Sequence, residues 1–135
     1  MTKLCLLATA LLFAAAARAH HSAAVHFVTD ETVSVSGAVE EFRIQNPHSV
    51  VFVRVTDEQG VEAVWVAEWA PASVLRRIGM QGNSIKPGDR VTIAGSPARD
   101  GSKTLLLRMM TFADGRPPIG GGSGVAPAES EILEE

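Results

Sequence analysis

The sequence predicts an all-β fold: a five-stranded OB-fold-like Greek-key barrel with one short helix between strands 3 and 4. Three observations predict it. Valine-rich alternating runs recur from Thr32 to Phe112, separated by turn residues. One stretch alone, Pro71 to Gly79, switches to helical spacing. The first run also changes its apolar parity midway, as a strand bent to close a barrel does. An SH3-like barrel is the runner-up, but a real helix in that connection argues against it.

Taken in order, TVSVSGAV places Val33, Val35 and Val39 on one face, after which Phe42 and Ile44 carry the apolar parity. That shift needs one extra residue near Glu40-Glu41, a β-bulge. NPHS (46–49) interrupts the run, because Pro47 has no N–H to give a ladder. Residues 49–56 form the second strand, and DEQG (57–60) turns the chain into the third, 61–69. Pro71 suits a first helical position, Val74, Leu75 and Ile78 share a face, and Gly79 ends the helix. KPGD turns into a fourth strand that runs to Gly95, and 104–112 is the fifth. The barrel domain is thus expected over 32–114, followed by a Gly-, Pro- and Glu-rich tail, 115–135, expected to be disordered.

The N-terminus reads as a cleaved export signal over residues 1–19. Lys3 precedes an apolar run from Leu4 to Ala17, and Ala17-Arg18-Ala19 satisfies the small-x-small rule of the peptidase. Ala15-Ala16-Ala17 and Ser22-Ala23-Ala24 satisfy it too, but only cleavage after Ala19 leaves His20 first. The run is too short to span a bilayer, so a periplasmic protein with no membrane span after cleavage is expected. Lys3 and Arg18 leave with the signal, so 10 basic residues face 15 acidic ones and the formal charge moves from −3 to −5. Cys5, the single cysteine, leaves as well, removing disulfides and thiolate chemistry from the mature chain.

An arm over 20–31 then holds three of the four histidines, His20, His21 and His26; the fourth, His48, sits in the N-P-H loop. A histidine that begins a chain offers its α-amine and its ring Nδ1 to one metal. A second imidazole, from His21, His26 or His48, completes a three-nitrogen set that suits Cu(II). The alternative is a polar spacer followed by a loop histidine that bonds its own turn, with Asn46 and Pro47 fixing an Asx-type turn.

Trp65 and Trp69 share one parity of the third strand with Ala63 and Ala67, while Val64, Val66 and Glu68 take the other. With the valines inward, the tryptophans form an outer contact face for a periplasmic protein or small ligand, Trp65, Glu68 and Trp69 being its residues. With the tryptophans inward, both indoles are core and their N–H groups need partners. Glu68 has three possible duties: capping the helix, pairing with Arg76 or Arg77, or facing His48.

Nucleic acid is an unsuitable partner, since the chain has no tyrosine, few aromatics and a negative mature charge. No GxSxG, HExxH or phosphate-cradling loop occurs. A His48–Glu68 couple without an orienting group or oxyanion donor does not make a catalytic centre, so a non-enzymatic protein is expected.

Read together, Ala19-His20-His21-Ser22, Asn46-Pro47-His48, Trp65 with Glu68, Leu75-Arg76-Arg77 with Gly79, Lys86-Pro87-Gly88-Asp89, Gly95, Asp100-Gly101 and Asp114-Gly115 form an ordered pattern over roughly residues 19–116. This pattern resembles a family of small exported bacterial proteins of unknown function. The resemblance implies a periplasmic OB-like barrel and no established activity. Two departures stand out: Ala23 and Ala24 follow His-His-Ser where an aromatic is usual, and Met80 stands where a tryptophan is common. If those aromatics build a pocket in relatives, the pocket here is shallower.

Overall fold

A computed structural model of the protein describes residues 23–120. The expected signal over 1–19, His20, His21 and residues 121–135 of the expected tail lie outside the described residues. In chain order the elements are α1 (Ala23–His26), β1 (Val33–Arg43), β2 (Val50–Thr56), β3 (Glu62–Glu68), α2 (Ala72–Arg77), β4 (Arg90–Pro97), β5 (Thr104–Phe112) and β6 (Ile119–Gly120).

β1 is the strand around which the sheet bends. It pairs antiparallel with β2 through its C-terminal half and with β4 through its N-terminal half. Val39 faces Val53 but Glu41 faces Phe52, so Glu40 is the extra residue the parity change requires. Val39 and Phe42 both reach the core in consequence. The strand order is β3-β2-β1-β4-β5, and a parallel pairing of Val66–Glu68 with Thr104–Leu106 closes the ring. The result is a closed five-stranded β-barrel with β6 outside the ring, on β5.

Closure brings two pairs of backbones unusually near. A β-carbon on Gly37 would stand 2.1 Å from the Arg54 carbonyl oxygen, and one on Gly95 would stand 2.0 Å from that of Leu106. Both distances are far inside van der Waals contact, so these two strand positions admit only glycine. Inside the ring, Val51, Val53, Ile93, Leu105 and Met110 are fully enclosed, and Leu75 and Ile85 plug one end from the β3–β4 connection. An enclosed aliphatic side chain of this size contributes about 1.5–3 kcal/mol.

α2 is shorter than its sequence pattern, and its expected third apolar contact is corrected. Ile78 is 59% exposed. Gly79, at φ +85°, ends the helix. Its N–H bonds the Arg76 carbonyl, while the Met80 N–H bonds that of Leu75. This Schellman ending turns Met80 back onto Leu75, both buried, and leaves Ile78 outside.

The expected tail is also corrected at its start. Residues 115–120 lie on the barrel: Gly115 (φ +82°) reverses the chain, and Ile119 and Gly120 pair with Met110 and Met109. Arg116 fixes the reversal. Its guanidinium lies 2.8 Å from both Asp89 and Asp114 and stacks 4.1 Å above the Phe112 ring. The same guanidinium holds the Asp89 and Asp114 carboxyls below the usual carboxylate range. For Asp89 its side-chain hydrogen bond is the larger cause, and for Asp114 the Arg116 backbone N–H is.

Candidate functional site

The N-P-H loop between β1 and β2 is pinned to the far end of β3 and the start of α2. Asn46 Oδ1 accepts the Ala72 N–H at 3.2 Å, and the Gln45 carbonyl accepts the same N–H at 3.1 Å. Pro71, which opens α2, has no capping side chain, so Asn46 caps the helix from a loop 26 positions earlier. Ser49 is fully buried; its backbone bonds Ala70 and Trp69, and its hydroxyl bonds Gln45. The Asn46–Pro47 peptide is cis. The Asn46 side chain makes a long-range cap, where the alternative reading has it in a local Asx turn.

This framework carries His48 to β3. His48 Nδ1 lies 3.2 Å from Glu68 Oε2, with the two side chains 54% and 32% exposed. Of the three duties open to Glu68, facing His48 is the one the fold realises. With its proton on Nδ1, the imidazole donates to the carboxylate and keeps the Nε2 lone pair for another partner. A carboxylate behind a histidine is the arrangement that orients metal-binding imidazoles and raises their basicity.

His26 lies elsewhere on the rim, and its surroundings show that the arm is seated. Phe27 is 5% exposed and bridges to Ala98, and the Val28 N–H bonds the Pro97 carbonyl. The His26 carbonyl accepts the Arg99 N–H at 2.9 Å. Arg99 Nε donates to the Ala24 carbonyl at 2.7 Å, and Arg108 donates to that of Thr29. Of the four candidate ligands, the described residues thus place His48 beside Glu68 and His26 on the β4–β5 turn. Among the described residues, no three His, Cys, Asp or Glu side chains converge as a metal-binding group.

The outer tryptophan face is corrected. β3 turns Ala63, Trp65 and Ala67 inward, and Val64 outward at 37% exposure. Trp69, just beyond the strand, is 2% exposed, its ring tilted against Phe42 at a centroid distance of 6.2 Å. Trp65 is partly buried against the core, and the Lys103 ammonium lies 5.8 Å from its ring centroid. The charges decide the parity: the other face of β3 carries Glu62 and Glu68 beside Val64 and Val66, and the carboxylates belong outside the barrel. Trp69 Nε1 is buried without a partner in the described residues. Trp65 and Trp69 are therefore wall and plug, and Glu68 stands on the opposite face from them.

Sequence reading missed three residues that build the site. Asn46 looked like a turn former, and only its separation from Ala72 in three dimensions reveals a cap. Arg99 and Arg108 have no role in the sequence reading, yet each ends on a carbonyl of the arm. Their signal in the sequence was slight: two arginines with no carboxylate at helical or cross-strand spacing.

Among the described residues, no helix is long and apolar enough to cross a membrane. No curated protein matches the chain. A family of unknown function does match, over residues 9–107, which is most of the chain and includes the N-P-H loop, Glu68 and the seat of the arm. The protein belongs to this family, DUF6152.

Proposed function

We propose that this protein is an exported, non-enzymatic binding module on an OB-type Greek-key barrel, holding one copper ion between its processed N-terminus and His48. The OB reading is supported by the ring order, the parallel β3–β5 closure, the bulged β1 and the helix between β3 and β4. The periplasmic location rests on the signal-like run and its cleavage motif.

The single observation that carries the metal reading is the His48–Glu68 contact. It leaves an exposed imidazole backed by a carboxylate, at a loop held from three sides. On this reading the arm supplies the remainder of the set. Phe27, Ala98, Thr104 and Val66 follow one another through single hydrogen-bonded steps. At about 5 Å a step, Phe27 of the arm lies within about 15 Å of Val66, on the strand that carries Glu68. The amine and ring of His20 with the ring of His48 make the three-nitrogen set; His21 and His26 are the other candidates for the second imidazole.

Mass spectrometry of the exported protein is expected to give His20 as its first residue. Copper titration is expected to show one-to-one binding that weakens at least about tenfold in His48→Ala and in His20→Ala. Equal binding by a chain with one extra residue ahead of His20 removes the N-terminal amine from the reading.

A further inference from the structure

We infer that the arm is an exchangeable strap, whose seat on the barrel also takes the same segment from a second copy of this chain. The register around the arm carries this inference. Arm and β1 both run antiparallel along the end of β4: Phe27 bridges to Ala98, and Val33 pairs with Gly95. Six residues lead from Phe27 to Val33 but only three from Gly95 to Ala98, so three surplus residues are folded into the turn before β1. One backbone bond closes that turn, from the Glu31 N–H to the Val28 carbonyl at 3.2 Å. Straightened, three residues rise about 10 Å, and Phe27 is carried that far beyond its own seat. An arm extended from β1 thus misses its own barrel and presents the matching segment to another.

The seat suits such an exchange. Phe27 is buried, yet it is not among the side chains that pack together inside the barrel. Around it, the Val28 N–H bonds the Pro97 carbonyl, the Arg99 N–H bonds the His26 carbonyl, and Arg99 Nε bonds the Ala24 carbonyl. All of these contacts join residues 24–28 to residues 97–99, so the arm of a second copy remakes them in full. A reciprocal exchange leaves both barrels intact. It gives up only the turn and the bond from Arg108 to the Thr29 carbonyl, which is the condition for domain swapping. The arm's own seat competes at an effective concentration on the order of a millimolar, so exchange grows as the protein approaches that concentration.

The test is sedimentation of the exported protein at about 10 µM and at about 1 mM. Less than about a tenth is expected as dimer at the lower concentration, and about half at the higher. Two variants identify the interface. Phe27→Ala removes the anchor. Deletion of residues 29–31 removes the surplus, so that the arm continues β1 in the register of its own seat. Both variants are expected to stay monomeric at about 1 mM. Hydrogen exchange is expected to show barrel amides protected in both, and the Val28 amide protected in the deletion variant. If either variant loses its barrel protection, the other decides. An unsubstituted chain that stays monomeric at about 1 mM overturns the inference, and so does a dimer that forms equally in a folded variant.

Discussion

Gly95 shows how much one side chain's absence can decide. Its position on β4 faces the Leu106 carbonyl so closely that a single methyl group has no room, and the obstacle is backbone. Gly95→Ala is expected to destabilise the barrel by about 1–3 kcal/mol, read as a lower urea midpoint with an unchanged slope. An unchanged midpoint means the strands part there at little cost. His48 lies at the other extreme: exposed, replaceable without harm to the core, and meaningful only through Glu68. The sequence marks His48 as a histidine after Asn-Pro, but it ends the fourth strand at Gly95, which in the fold lies inside β4. It does not mark Asn46's partner or the arginines of the arm, since those contacts join residues that are 26 to 79 positions apart.

Among elements, β-strands were legible because their period is two and valines and turn glycines write it plainly. The β1 bulge was legible for the same reason, as a parity change with one place to occur. For β3, alternation alone leaves the choice of face open, with Val64 and Val66 on one side and Ala63, Trp65 and Ala67 on the other, and the fold takes the tryptophan-inward form. Ile78 was misread because helical spacing cannot reveal a Schellman ending that discards one apolar residue in favour of another two positions on. α2 itself depends on a borrowed cap. Asn46→Ala is expected to cost about 1 kcal/mol, about 5 °C in unfolding temperature for a domain of this size. Hydrogen exchange should show the loosening first at α2 and the N-P-H loop. An Asn46→Ala protein with unaltered α2 protection contradicts the capping role.

For the whole molecule, closure was predicted but the fastening past β5 was not. Arg116 ties the chain after β5 to the turn before β4 through Asp89, and a Gly- and Pro-rich tract gives no hint of such a clasp. Its pH dependence follows from the lowered carboxyls. Asp89 and Asp114 titrate lower folded than unfolded, so their contribution is complete above the ordinary carboxylate range and is lost as the pH falls through the lowered values. The unfolding temperature of the intact protein is expected to exceed that of Arg116→Ala by a constant margin above about pH 5. That margin should shrink below about pH 4. A margin that holds down to pH 2 assigns the role of Arg116 to its packing on Phe112 instead.

The central claim, a metal shared by a terminal histidine and the loop imidazole, is most directly tested by electron paramagnetic resonance of Cu(II) on the processed protein. Three bound nitrogens are expected, with the coupling of one imidazole disappearing in His48→Ala. A spectrum identical in His48→Ala contradicts the claim.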